Sequence, residues 1–260
     1  MEFKEGDLVT RNSYNNDVVF KIVEVSDDLC KLKGVNIRLI ADSELDDLKK
    51  HDDTDVEQER EFLTRIKKPV ELDRDDYFYL PGKILQIDSD REYLNRCLAY
   101  YKDIDIWAMG IEMHEADMAE QVKELLEQYR PDIVVITGHD SYNKKDGNAK
   151  DIKAYKNSLY FVNAIKKARE YEKSHEKLIV IAGGCGSYYE ELIRAGANFA
   201  SSPKRINIHA LDPAIIATKM SLADINKDIN LKCILENTKY GKDGIGGIIT
   251  KGTMHVGYPR

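Results

Sequence analysis

The 260-residue chain carries 39 Lys and Arg against 46 Asp and Glu, a net charge of −7, with 42% hydrophobic and 33% charged residues. That supplies core for one large domain plus a small one, and the mild acidity argues against nonspecific nucleic-acid binding. No apolar run approaches the roughly eighteen residues of a membrane span, and the N-terminus lacks the apolar core of a signal peptide.

Four cysteines (Cys30, Cys97, Cys185, Cys233) are scattered without a CxxC pair. Neither a disulfide framework nor a structural zinc site is expected, and a reducing cytosol is the default. Residues 1–47 offer short alternating strands at Asp7–Arg11, Val18–Val25, Leu29–Lys33 and Asn36–Ala41, broken by turn residues such as Asn15-Asn16-Asp17 and Gly34. So many short strands in so few residues predict a small SH3-like β-barrel, more suited to docking than to chemistry. Residues 48–79 are dense in Lys, Asp, Glu and Arg and read as a charged linker open to proteolysis.

From residue 80 to 260 strand and helix patterns alternate. Strands are predicted over Lys83–Asp88, Ile106–Glu112, Asp132–Thr137, Lys177–Ala182 and Phe199–Ser202. Helices are predicted over Asp90–Lys102, Ala116–Tyr129, part of Ser158–Glu172, Tyr188–Ala195 and from Asp212, taken as N-cap with Pro213 in the first turn, to about Ala223. The fold class is α/β, a parallel sheet with helices on both faces. The glycines from Gly241 to Gly252 predict a hairpin or loop.

Two strands carry the chemistry. Asp132-Ile-Val-Val-Ile-Thr137 ends at Gly138-His139-Asp140, and Lys177-Leu-Ile-Val-Ile-Ala182 ends at Gly183-Gly184-Cys185-Gly186. The carboxyl edge of a parallel sheet is where such folds place their ligands. A cysteine on a glycine-flanked strand-to-helix turn lies near a helix N-terminus, which favours the thiolate. His139 is the matching general base, and backbone N–H groups around Gly138 and Gly184 are oxyanion candidates. Asp140, Glu190, His209 and Asp212 are candidates for reading substrate, Asp140 also for orienting His139. No metal-ligand spacing and no phosphate loop are present, so no cofactor is expected. The histidine precedes the cysteine by 46 residues, close to the spacing of about 50 in caspase-type proteases. Here, however, glycine precedes the histidine rather than following it, and the usual Gln-Ala-Cys is replaced by Gly-Gly-Cys.

The motifs Gly6-Asp-Leu-Val-Thr-Arg-Asn-Ser-Tyr-Asn-Asn16, Leu32-Lys-Gly-Val-Asn-Ile-Arg-Leu-Ile-Ala-Asp42, Leu80-Pro-Gly-Lys83, Val135-Ile-Thr-Gly-His-Asp140, Ala182-Gly-Gly-Cys-Gly-Ser-Tyr-Tyr-Glu190 and Ala195–Pro213 resemble the YabG family of sporulation-specific proteases over nearly the whole chain. The resemblance implies a cysteine protease that trims spore coat and cortex-associated proteins in the mother cell, cutting next to arginine. Its location would be the mother-cell cytoplasm or the spore coat. His139 and Cys185 match the family's catalytic pair. Self-cleavage in the linker, at Arg60, Arg65 or Arg74, is a further expectation.

Two other readings use the same residues. A thiol amidotransferase or amidase would pair Cys185 with His209, a histidine that follows the cysteine. A non-enzymatic coat-assembly module would use the barrel for binding and leave the α/β domain as scaffold.

Overall fold

The computed structural model describes residues 3–26, 29–51, 56–67, 72, 75–143 and 148–259. Five short strands, β1 (Leu8–Arg11), β2 (Phe20–Ser26), β3 (Leu29–Gly34), β4 (Ile40–Glu44) and β5 (Leu48–Lys50), form an antiparallel sheet in the order β4-β3-β2-β1-β5. Val9, Phe20, Ile22, Cys30 and Leu32 are buried on its inner face, as period-2 alternation requires. The strand predicted over Asn36–Ala41 begins only at Ile40. Residues Asn36–Leu39 leave the sheet as the tip of the β3–β4 hairpin.

Segment 48–79, read from its charge as a linker, contains three elements among its described residues. They are β5, which pairs with β1, the helix α1 (Val56–Ile66) and the strand β6 (Phe78–Leu80). In α1 Arg60, Glu61 and Arg65 face outward, while Phe62 and Ile66, one turn apart, join the core of the larger sheet.

The larger sheet has six strands: β7 (Ile84–Asp88), β8 (Ala108–Glu112), β9 (Ile133–Thr137), β10 (Ile179–Gly183), β11 (Phe199–Ser201) and β12 (Ile245–Gly247). Their order is β12-β11-β10-β9-β7-β8, all parallel except β12. Alternate residues of β9 serve opposite faces. Ile133 and Val135 pack with α2 (Arg91–Asp103) and α6 (Asp212–Ser221); Val134 and Ile136 pack with α3 (Met118–Tyr129), α4 (Ser158–Tyr171) and α5 (Tyr189–Ala195). Both faces are dry, so the strand reads as an unbroken Val/Ile run. Each such side chain contributes about 1.5–3 kcal/mol on burial. The glycine-rich C-terminal stretch follows α7 (Leu231–Leu235) and adds β12 to the sheet edge, and β13 (His255–Gly257) pairs with β6.

The fold is therefore mixed α/β with a mostly parallel sheet and a separate antiparallel sheet. Among the described residues, no helix is long and apolar enough to cross a membrane. Strand order reverses direction between β7 and β9, which opens a crevice at their carboxyl ends.

Candidate active site

Strands β9 and β10 pair in parallel from Ile133/Ile179 to Thr137/Gly183, so both chains leave the sheet at one level. The two loops that follow touch: a Cβ on Gly184 would run into the carbonyl oxygen of Gly138. Gly183 (φ +110°) and Gly186 (φ +67°) supply the left-handed backbone that turns the chain around Cys185. His139 and Cys185 thus follow neighbouring strand ends.

His139 is held at three points. Its backbone N–H donates to Glu115 Oε1 (2.9 Å), its Nε2 lies 3.1 Å from Asp90 Oδ2, and its Nδ1 lies 3.4 Å from the carbonyl oxygen of Arg38. Asp90 follows β7 and caps α2, accepting from the N–H groups of Glu92 and Tyr93. Burial would raise its carboxyl. The hydrogen bond with His139 and the Lys33 ammonium, 2.8 Å away, outweigh that and hold it well below the usual carboxylate range.

Cys185 is buried, and its Sγ accepts a hydrogen bond from the Ile208 N–H (3.3 Å). It packs in one apolar cluster with Ile208, Ile37 and the inner face of the antiparallel sheet. Burial pushes its thiol up to about 12, against partial relief from the Ile208 N–H and from Arg38. In this arrangement the thiol is neutral at physiological pH.

Between the two stands Arg38. Its side chain is fully buried; Nη1 donates to Asp88 Oδ2 (2.6 Å), and Nε and Nη2 reach the Ala210 carbonyl oxygen (3.2 and 3.0 Å). Burial alone would weaken the guanidinium's hold on its proton, but Asp88 more than compensates. Asp88 ends β7 in the crevice at the strand-order reversal.

The remaining candidates lie elsewhere. Asp140 faces away from His139: its carboxylate accepts from Ser158 Oγ (2.5 Å), Ser187 Oγ (2.8 Å), and the N–H groups of Asn157 (2.8 Å) and Ser141 (2.9 Å). Burial raises its pKa. Glu190 pairs with Arg205 and is half exposed. Asp212 is not the N-cap, which is Leu211. It is the first helical residue, and it accepts from the N–H groups of His209 (3.0 Å) and Lys239 (2.8 Å). His209 is buried with its Nε2 2.9 Å from Glu59 Oε1 on α1, and its Nδ1 accepts from the Leu211 N–H (3.1 Å). The Gly184 N–H donates to Ser187 Oγ (2.8 Å). Arg60 and Arg65 lie within α1, and Arg74 lies outside the described residues.

Asp88, Asp90 and Arg38 were not singled out from the sequence. The signal for the first two was their position: Asp88-Ser89-Asp90 closes a buried strand and opens a helix at the edge that carries His139. Arg38 gave none, because nothing local marks a cationic residue in a short hairpin as buried.

Residues 4–259 match the model of the family described as YabG peptidase U57. The sporulation-specific protease YabG of Bacillus subtilis (strain 168) is 40% identical over 288 aligned residues, covering 100% of this chain and 99% of that protein.

Proposed function

The chain belongs to the YabG peptidase U57 family, and from that premise we infer that it is a cysteine endopeptidase with Cys185 as nucleophile and His139 as general base. The observation that carries this reading is the shared focus of the two residues. They follow adjacent parallel strands, and the backbone of Arg38 lies against both, its N–H toward the Cys185 sulfur and its carbonyl oxygen at His139 Nδ1.

In the proposed reaction the Cys185 proton passes to His139 Nδ1, while Asp90 holds Nε2 and stabilises the imidazolium. The thiolate attacks the scissile carbonyl carbon. The oxyanion is met by backbone N–H groups at Gly138 and Cys185. His139 returns the proton to the departing amine, and water then hydrolyses the thioester. Asp90 is a positioning residue, since it acts through His139.

Preference for arginine before the cut is supported by the buried Arg38 guanidinium. Asp88 and the Ala210 carbonyl already accommodate that group at the foot of the crevice. Spore coat and cortex-associated proteins as substrates, and the mother-cell cytoplasm or spore coat as location, extend the family's role in sporulation. For the architecture, strand order and the His-before-Cys sequence support a caspase-like core, and the five short strands support an SH3-like barrel, with a boundary between residues 48 and 79. The amidase reading is less well supported, because both ring nitrogens of His209 are engaged away from Cys185.

The test is cleavage of an arginine-containing coat-protein fragment by wild type, Cys185→Ala and His139→Ala, each checked for folding. Both folded variants should be inactive. Cleavage by both would sink the assignment of the dyad.

A further inference from the structure

The hairpin tip Asn36–Leu39 belongs to the antiparallel sheet yet lies across the carboxyl edge of the other. Ile37 forms an antiparallel bridge with His209, in which the Ala210 N–H donates to Asn36 O (2.9 Å) and the Arg38 N–H to Ile208 O (3.5 Å). Extended pairing of this kind is how a bound peptide gains affinity from its backbone, while a side-chain pocket provides selectivity. Here the pocket is filled. The Arg38 guanidinium meets Asp88, and the carbonyl of the same residue faces His139.

We propose that the Asn36–Leu39 tip is an intramolecular pseudosubstrate, lying in the substrate groove with Arg38 in the arginine pocket and keeping the enzyme latent until it is displaced. The proposal rests on the protease reading above and adds an occupant and a regulatory step to it.

Five further hydrogen bonds explain why the tip stays in place uncut. Tyr93 Oη on α2 lies 2.5 Å from Gly34 O and 2.8 Å from Ile37 O, which share its proton, and Arg96 Nη1 donates to Val35 O (2.6 Å). The Leu39 N–H, which would become the leaving amine, donates to Ile37 O (2.8 Å), and Leu39 O accepts from the Gly34 N–H (2.8 Å). A leaving group tied into the hairpin cannot diffuse away, so any acyl-enzyme would re-close. The Cys185 thiol also lies in the same apolar cluster as Ile37, away from solvent. A buried ion pair is by itself weak evidence of stabilisation, because apolar residues of similar volume often do as well. An arginine retained there agrees with a pocket built for one.

The test uses the full chain as wild type, Arg38→Ala and Arg38→Gln. Three quantities are measured: thermal melting, alkylation of Cys185 by a peptidyl-arginine chloromethyl ketone, and turnover of an arginyl peptide amide. Loss of the anchoring ion pair should raise alkylation and turnover tenfold or more over wild type in each folded variant. Folded variants that match wild type, or fall below it, would show Arg38 to be only a clamp between the two sheets, with the protease reading intact. Should no form be alkylated at Cys185 or turn the peptide over, the protease reading falls and the proposal with it. Hydrogen exchange on wild type decides the matter if neither variant folds. Amides of residues 36–39 should exchange faster once the chloromethyl ketone is attached, and unchanged protection would overturn the proposal.

Discussion

His139 Nε2 stands 3.1 Å from Asp90 Oδ2, so the imidazole turns its other nitrogen, Nδ1, toward the peptide at Arg38. A carboxylate on one ring nitrogen fixes tautomer and orientation and stabilises the protonated ring. Asp90→Asn keeps an N-cap for α2, since the two residues cap about equally well. The expected result is a fall in kcat of about a hundredfold with little change in KM in a variant that still folds. A steady-state comparison on one arginyl substrate checks it. A loss confined to KM would mean that Asp90 does not act through His139.

The same carboxylate makes a prediction about acid stability. Its folded pKa is depressed, so it contributes stability that is fully present above the unfolded value, near pH 4, and is lost as the pH falls toward the folded one. The stability difference between wild type and Asp90→Asn should therefore narrow as the pH is lowered from 6 to 3. Urea denaturation at each pH would measure it, and a difference that stays constant would contradict the assignment.

Reactivity of the thiols should follow their burial. Cys185 is buried with its thiol raised to about 12, whereas Cys233 is exposed. At pH 8, iodoacetamide should modify Cys233 well before Cys185 in the wild-type chain. Peptide mapping by mass over time reads the order. Early labelling of Cys185 would mean that the closed arrangement is not the one populated in solution.

Two carboxylates near the site should separate specificity from stability. Asp88→Asn should lower the ratio of arginyl to neutral-residue turnover by a hundredfold or more, because it removes the charge opposite the guanidinium, while release of Arg38 raises turnover of the neutral-residue substrate. Glu190→Ala, in an exposed pair with Arg205, should leave the preference unchanged and stability within about 0.5 kcal/mol. If Glu190→Ala lost arginine preference and Asp88→Asn kept it, the pocket would have been assigned to the wrong side of the crevice.

Asp140→Ala should behave as a folding variant. The carboxylate satisfies two buried hydroxyls and two backbone N–H groups that join the His139 loop, α4 and the Cys185 loop. An orphaned buried polar group costs about 1–3 kcal/mol, so a loss of at least about 2 kcal/mol is expected by chemical denaturation. Unchanged stability would show that the cluster relaxes around the deletion or recruits water.

Much was readable in the sequence because its causes are local. The strands β9 and β10 are Val/Ile-rich runs with dry faces on both sides, the glycines after them mark their turns, and Pro213 marks the start of α6. From this followed the parallel sheet and the placing of His139 and Cys185 at its carboxyl edge. Family membership, too, was carried by motifs that can be read without coordinates. Contacts between residues far apart in the chain had no such mark. Charge density concealed β5 and α1, because the few apolar residues that anchor them, Leu48, Phe62 and Ile66, are diluted among solvated side chains. Asp140 and Asp212 looked available only because their partners come from other elements. Arg38 and Asp88 are 50 residues apart, on different sheets, and meet only when the hairpin tip crosses the crevice. Sequence alone determined which strand ends carry the thiol and the imidazole; folding decided which carboxylate meets the imidazole and what lies between the two residues, because those pairings depend on long-range geometry that local propensity does not encode.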